Sequence, residues 1–560
     1  MSFLQILRQR LSGNESRVLY LAMLTMGASG LAFEYTLSKI SGDILGNSVQ
    51  QWAVIIGVMM FFMGIGSDVQ KYVAEKNLFD AFVFLETVLA LAGALGPIVF
   101  IYIYGLFPFH FVLVQYFFII AIGLIIGMEV PLVSRLNARF LPELRLNLAA
   151  VLKMDYIGAL LGALAWIFLL VPNYELSRVA FLIAFFNWGV ALISLYFFRR
   201  QVVRGRLLAA VNLLVGLTLV VGFFNVDRWR IDAEQYLYRD RIVYSHTTPY
   251  QHIVLTEGRN GDISCYINGH LQFYSGDEFI YHENLVHTVM NATPVHANVL
   301  ILGGGDGLAL REVLKYKDVR RVTLCDLDPQ MTQLAAENPF FRGLNRDALN
   351  DNERVKVVEA AVSPGKSYTV FSKNDKYLWR GGYDSVATVH VVNMDAARFV
   401  ERISGMYDVI IVDFPDPNAP DLAKLYSKTF YEHLRKKLSR DGLMIQQSTS
   451  PYHAREVFLS IGKTMRDAGL STVPLKDNVP SFGEWGWWIA GRAENYSPGR
   501  IKKALRGIKN IAVETRYLTA PLIRANMVFP RDALNDDDIR VNTLGNSVIY
   551  HYYLNAWQYE

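Results

Sequence analysis

From Val18 to Phe224 apolar residues come in long blocks separated by short charged gaps, whereas beyond Asn225 apolar and polar positions alternate or change every few residues. A membrane-spanning helix needs about 20 mostly apolar residues. Seven stretches fit, at roughly 18–38, 52–69, 80–103, 109–131, 150–171, 178–198 and 207–225. No single soluble core absorbs that many long apolar helices, so the first half is expected to be a multi-pass bundle. In the second half, residues 235–290 read as a small β-sheet: "HIVLTE", a "GRNGD" turn, "ISCYING" and "LQFYS". From about 296 the pattern becomes strand–helix alternation. "ANVLILGGG" and "RRVTLCDLD" are strands, each followed by a helix, and "YDVIIVDFPDP" and "GLMIQQSTS" are later strands on either side of a helix around "SKTFYEHLRKKL". Continuous apolar strands alternating with helices predict a doubly wound parallel sheet, an α/β fold.

Composition changes this picture little. The chain has 560 residues, a net charge of +4 and two cysteines, Cys265 and Cys325, too few for a disulfide framework or a thiolate metal site. There is no long basic run, so nucleic acid is not an expected partner. Arg8 and Arg10 precede the first apolar run, without the small-residue cleavage site of a removable signal. Loop charge bears on orientation. Arg8, Arg10, Arg17, Lys71, Lys76, Arg135, Arg139, Arg145, Arg199, Arg200, Arg204 and Arg206 fall in one set of gaps, and only Lys39 and Arg178 in the other. That bias puts the N-terminus inside, and seven crossings then put the second half outside.

Four acids lie within or at the ends of the spans: Glu34, Glu86, Glu129 and Asp155. Charge at membrane depth often marks an ion or substrate path. Glu86, Glu129 and Asp155 are expected near helix ends, within reach of water or an interfacial partner. Pro131 in "GMEVPL" is expected to end or kink its helix. The small residues of "DYIGALLGAL" are spaced for close helix packing.

Ligands of such sheets bind at the carboxyl ends of the strands. Gly303, Gly304, Gly305 and Gly307 let the backbone turn and approach a ligand, and Asp326 ends the next strand, where an acid typically holds a ribose. No Walker lysine follows, which argues against ATP. Asp306, Asp326, Asp328, Asp395, Asp413 and Asp416 are expected to fall nearly all at the carboxyl rim of one sheet. Single rim acids are often helix caps, but several converging ones repel unless something cationic fills the space. A cationic substrate, a cationic cofactor, or both would answer this.

At these residues the sequence resembles the spermidine synthase (polyamine aminopropyltransferase) family, in its membrane-fused form, over about 235–530. The matching pieces are "YQHIVL", "NGHLQF…DEFIYHE", "GGGDGLALREVLK", "CDLDP", "NMDAARFV", "YDVIIVDFPDP" and "LYSKTFYEHLRKKL". The resemblance implies transfer of an aminopropyl group from decarboxylated S-adenosylmethionine, as co-substrate and without a metal, to a small amine, putrescine to spermidine by default. It implies that Asp306 holds the donor's amine, Asp326 its ribose and Asp395 its adenine, with Gln251, Gln272, Gly303 and Gly305 lining the donor pocket. It makes Asp413 the catalytic acid residue, with Asp416 and Tyr281 beside it, and puts His282, Phe482 and Trp485 with Asp416 on the acceptor side. It also implies a homo-oligomer, a dimer.

The chemistry fits independently. An amine with a pKa of about 10 is protonated at neutral pH and must lose a proton to a positioned base before it attacks carbon. The sequence departs from the family at Asn268, at Phe414 and Pro415 between the paired aspartates, at Phe482, and in about 30 extra residues near 359–390. These departures fall mostly on the acceptor side. Two other readings stand beside this one: an S-adenosylmethionine-dependent amine methyltransferase, and a non-catalytic polyamine sensor coupled to transport. The expected division is a multi-pass segment (1–225), a small β-domain (226–295), a methyltransferase-like Rossmann domain (296–500) and a C-terminal extension (501–560). An inner-membrane location is expected. The catalytic half is assigned to the cytoplasm, where donor is made, against the loop charge.

Overall fold

The long apolar blocks of the first half form seven helices: α1 (Phe3–Leu45), α2 (Ser48–Val69), α3 (Leu78–Leu106), α4 (Phe111–Asn137), α5 (Leu144–Ala165), α6 (Leu176–Phe197) and α7 (Gly205–Glu234). The structure is a computed structural model describing residues 3–45, 48–351, 355–359 and 387–557. It divides into two units, Met1–Thr256 and Glu257–Glu560. Seven helices in the first unit are long and apolar enough to cross a membrane.

Small residues set the helix contacts there. A side chain at Gly158 would bring its Cβ 2.0 Å from the carbonyl oxygen of Leu24, and one at Gly162 would reach 2.2 Å from that of Ala28, so α1 and α5 pack backbone to backbone. Of the two effects expected of Pro131, ending the helix does not occur: α4 continues to Asn137, because the bonds a proline costs are few against the packing of the turns that follow. One expectation is corrected. Glu86 and Glu129 do not reach water. They are 0% and 2% exposed, since α3 and α4 turn those faces into the bundle. Helix α7 also outruns its apolar stretch by several residues to Glu234, helped by an Arg230–Glu234 ion pair at 2.5 Å. Strands β1 (Arg241–Thr247) and β2 (His252–Glu257) follow.

The second unit opens with the hairpin of β3 (Ile263–Ile267) and β4 (His270–Tyr274). Its two-residue turn, Asn268–Gly269, has both residues at positive φ, 50° and 81°. Asn and Gly tolerate that conformation best, which explains asparagine at this departure from the family. Helix α8 (Glu278–Ala292) comes next, and then strand and helix alternate: β5 (Asn298–Gly303), α9 (Leu308–Val313), β6 (Arg321–Asp326), α10 (Pro329–Glu337), α11 (Pro339–Asn345), β7 (Val355–Glu359), β8 (Ala387–Asn393), α12 (Ala396–Arg402), β9 (Tyr407–Asp413), α13 (Pro420–Ala423), α14 (Lys428–Lys437), β10 (Leu438–Gln447) and α15 (Arg455–Asp467). The antiparallel pair β11 (Leu470–Val479) and β12 (Gly483–Arg492) is followed by α16 (Pro498–Gly507), α17 (Ala520–Ala525) and α18 (Val548–Trp557).

The eight strands β5–β12 form one sheet in the order β11-β12-β10-β9-β5-β6-β8-β7. All neighbours from β10 to β7 are parallel, and β12 runs against both β10 and β11. Chain order reverses between β5 and β9, so the crevice for a ligand opens at their carboxyl ends. The extra segment near 359–390 lies largely outside the described residues.

Candidate active site

The register of β5 and β9 pairs Gly303 with Asp413. Gly303 sits at φ +80°, and any Cβ there would come 2.1 Å from the carbonyl oxygen of Asp413, so only glycine lets the two strand ends close up. Gly305 is required for a second reason: a Cβ would stand 2.6 Å from the carboxyl carbon of Asp326. Without one, Gly305 N donates to Asp326 Oδ2 at 3.0 Å, and Asp328 N donates to Oδ1 at 2.9 Å. Each carboxylate oxygen keeps a free lone pair, the pattern needed to accept two neighbouring hydroxyls. Burial pushes Asp326 up to about 6, against those two backbone bonds.

Asp413 is the centre of the rim. Tyr281, projected from α8, donates its hydroxyl to Asp413 Oδ1 at 2.5 Å. Burial raises the Asp413 carboxyl to about 6; His282 and the Tyr281 bond oppose the rise and the charge of Asp306 adds to it. Asp306 is also raised by burial, with His282 pulling it down. Its Oδ1 accepts Leu308 N at 2.9 Å. His282 is fully buried, and its Nδ1 lies 2.8 Å from Glu278 Oε2. Burial disfavours its charge, but the Glu278 bond and charge, then Asp306 and Asp413, raise it to about 9. The imidazolium therefore sits among Asp306, Asp413 and Glu278, at the centre of the rim as well as toward the acceptor side. Glu278 is fixed in turn by Arg311 Nη1 and Nη2 at 2.9 and 3.0 Å. Burial would raise Glu278, yet His282 and Arg311 together lower it to about 2.

The remaining predicted residues divide. Asp416 is half-buried, and desolvation raises it to about 6, against hydrogen bonds from Gln447, Thr449 and Tyr553. Phe482 meets Tyr281 edge-on at 6.2 Å between ring centroids, and Trp485 lies 5.0 Å beyond Phe482. Asp395 and Asp328 are helix caps: Asp395 Oδ1 accepts Arg398 N at 3.1 Å, and Asp328 Oδ1 accepts Gln330 N at 3.0 Å. Asp395 also pairs with Lys424 at 2.6 Å, and although burial works the other way, that pairing lowers its carboxyl. Two of the six rim acids thus hold the N-termini of the helices that follow their strands, the common role of a single rim acid. Gln272 turns its amide to the carbonyl of His270 at 3.1 Å. Gln251 belongs to the first unit, where its N–H donates to Thr248 Oγ1 at 3.0 Å.

Several contributors escaped the sequence reading. Trp487 packs 5.8 Å from Tyr281. Thr449 Oγ1 donates to Asp416 Oδ2 at 3.1 Å, and Gln447 Nε2 reaches Asp416 Oδ1 at 3.3 Å. Thr449 holds φ at +56°, a conformation a threonine keeps only under local compulsion. Asp277 accepts both Ser481 N (2.7 Å) and Ser481 Oγ (2.9 Å), which fixes the turn that presents Phe482. Glu283 of "YHE" accepts the N–H groups of Arg516, Tyr517 and Leu518 at 2.6, 2.9 and 2.8 Å, tying the later chain to α8. The polar run "QQSTS" at the carboxyl end of β10 was the available signal for two of these.

Known proteins resemble this chain over nearly its whole length. The spermine/spermidine synthase domain matches residues 278–365 and 376–498. A polyamine aminopropyltransferase of Oceanobacillus iheyensis is 35% identical over 552 residues, covering 97% of this chain and 98% of that protein. Polyamine aminopropyltransferase 1 of Streptomyces coelicolor is 36% identical over 554 residues, covering 97% and 94%. A spermidine synthase solved with the transition-state analogue AdoDATO aligns with 52% of this chain and 87% of its own at 20% identity, TM-score 0.40. By its full-length relatives, the chain belongs to the polyamine aminopropyltransferase family of enzymes.

Proposed function

We propose that the protein transfers the aminopropyl group of decarboxylated S-adenosylmethionine to a small diamine, putrescine giving spermidine, and releases methylthioadenosine. The observation that carries this reading is Asp413, a half-buried carboxylate raised to about 6 and held by Tyr281 at the end of β9. A base tuned toward neutrality is suited to taking a proton from an ammonium group. The freed amine nitrogen attacks the aminopropyl carbon next to sulfur, the carbon–sulfur bond breaks, and its electron pair stays on sulfur as a neutral thioether. No acid is needed for that leaving group. The protein's task is alignment of nitrogen, carbon and sulfur.

Asp306 is assigned to the donor's amine and Asp326, with its two free lone pairs, to the ribose. Asp395 is assigned to the adenine amino group, shared with Lys424, and Gln272 to the rest of the donor pocket. Tyr281, Phe482, Trp485 and Trp487 form an aromatic wall on which an alkyl ammonium chain packs favourably. The rim carboxylates repel the carboxylate of ordinary S-adenosylmethionine, which favours aminopropyl over methyl transfer.

The seven long helices are read as a membrane anchor, with the catalytic half on the cytoplasmic side where donor is made. The test is methylthioadenosine release by the full-length protein given donor and a panel of diamines, with Asp413→Asn as control. Release dependent on both putrescine and Asp413 is expected. Equal release by the Asn variant, or transfer of a methyl group instead, would overturn the reading.

A further inference from the structure

Helix α18 lies beyond residue 498, where the family domain match ends, and 130 or so residues past the paired aspartates. Its docking is nevertheless closely specified. Asn542, fully buried, donates its N–H to Thr464 Oγ1 at 2.9 Å and its Nδ2 to the carbonyl of Ala423 at 2.8 Å, and its own carbonyl accepts Lys428 N at 2.9 Å. Ser460 Oγ donates to the carbonyl of Arg540 at 2.9 Å. Ile539, Ile549 and Tyr550 then join the core that holds Tyr426, Phe430 and Phe458. Ala423 ends α13, the short helix that starts just after Asp416. The extension is thus fastened to the elements on either side of the acceptor-side acid.

So docked, α18 brings the hydroxyl of Tyr553 onto the carboxylate of Asp416. Gln447 and Thr449 supply the other two donors, at 3.3 and 3.1 Å. A carboxylate has about four acceptor positions, so three fixed donors leave one direction for a substrate cation. An acid held this way presents its charge at one point, which suits a ligand that must be placed with its nitrogen in line with the reacting carbon.

We propose that Tyr553 is a positioning residue for the acceptor amine, acting through Asp416, so that the C-terminal extension completes the acceptor side of the active site. This rests on the assignment of Asp413 and Asp416 to the acceptor. The hydroxyl favours the ionised form of Asp416, so its loss lets the carboxyl titrate at higher pH.

The experiment is steady-state aminopropyl transfer by full-length Tyr553→Phe, Tyr552→Phe and Asp416→Asn, singly, and by the Tyr553→Phe/Asp416→Asn pair, over a pH series. Tyr552 is on the same helix, and its hydroxyl accepts the N–H of Arg540 at 3.2 Å, a purely structural bond. In Tyr553→Phe, KM for putrescine is expected to rise about tenfold, with donor KM unchanged and the acid limb of kcat/KM moved to higher pH. In the Asp416→Asn background the same substitution is expected to add nothing. Unchanged amine KM, or losses that multiply in the double variant, would overturn the proposal; a Tyr553→Phe enzyme that is merely less well folded gives the multiplying result and an equal loss with Tyr552→Phe. A wild-type protein that transfers nothing to any amine defeats the underlying reading, whereas an active wild type with a silent Tyr553→Phe defeats only the role given to Tyr553.

Discussion

Buried acids occur in both units of this protein, and their surroundings differ. In the helix bundle, both carboxyl oxygens of Glu86 and the Oε1 of Glu129 are buried with no hydrogen-bond partner among the described residues. In the catalytic unit the acids are answered: Asp413 by Tyr281, Asp326 by two backbone N–H groups, Glu278 by His282 and Arg311, and Glu283 by three backbone N–H groups. A polar group buried without a partner costs about 1–3 kcal/mol. Burial alone therefore does not identify a working acid. At the rim, burial raises the carboxyl toward neutrality while one or two bonds keep it aimed, a combination suited to a base.

The largest effect that would test this contrast is at Asp413. Asp413→Asn keeps the shape and removes the base, so kcat is expected to fall by about 10²–10⁴, with donor affinity retained by equilibrium binding. A loss below tenfold would mean the amine gives its proton elsewhere. Arg311→Met should cost the most stability, about 3–5 kcal/mol, because it takes a charged partner from each of two buried carboxylates, Glu278 and Glu312, which Arg311 Nη1 and Nε meet at 2.9 and 2.8 Å. Thermal unfolding followed by tryptophan fluorescence would register this, and a shift no larger than that of an exposed arginine would contradict it. Tyr281→Phe is expected to lower kcat/KM about tenfold and to move the acid limb upward, since the lost bond is one that lowers the Asp413 carboxyl.

The pH profiles of activity and of stability should separate. Activity needs Asp413 ionised and is expected to rise as pH passes about 6. The Glu278–His282 pair acts on stability instead. Glu278 is lowered from 4.5 to about 2, so its contribution is present above 4.5 and lost as pH falls toward 2. His282 is raised from 6.5 to about 9, so its contribution is complete below 6.5 and lost as pH rises through 9. Melting temperature should therefore be highest between about 4.5 and 6.5 as far as this pair decides it, below the range where the enzyme works fastest. Coincident maxima would show that the pair is not the controlling contact.

Periodicity and residue type made the seven helices, the parallel sheet and the glycine turn legible, because each is a local pattern written by apolar spacing. Asp413, Asp416, Tyr281 and Phe482 were singled out by the family resemblance of the motifs that hold them, and Tyr281 meets Asp413 and Phe482 in the fold. The capping bonds of Asp328 and Asp395 were not legible, since every rim aspartate ends a strand and precedes a helix, and only the direction of the carboxylate shows which of them also holds a helix N-terminus. Tyr553 and Glu283 were missed for another reason. Their partners lie more than a hundred residues away in sequence, and a tertiary hydrogen bond between such distant positions leaves no periodic trace. Glu129 was misplaced because helix-end rules describe exposed helices, and α4 is held on one face by its neighbours.

The smallest expected effect completes the contrast. Glu86→Gln keeps the size of a side chain that is 0% exposed and replaces an acid whose two oxygens have no partner. If bundle acids serve packing and the rim acids serve chemistry, aminopropyl transfer by the full-length variant should be unchanged, and so should its thermal unfolding or slightly improved, because an amide is cheaper to bury than a carboxyl group that risks ionising. The paired variant Glu86→Gln/Glu129→Gln should behave the same way. A tenfold fall in kcat/KM with folding intact would instead mean that the unanswered acids of the bundle have a partner in the working enzyme that the folded chain alone does not supply. A polyamine is the natural candidate, because it brings several positive charges to a place where the protein offers only negative ones.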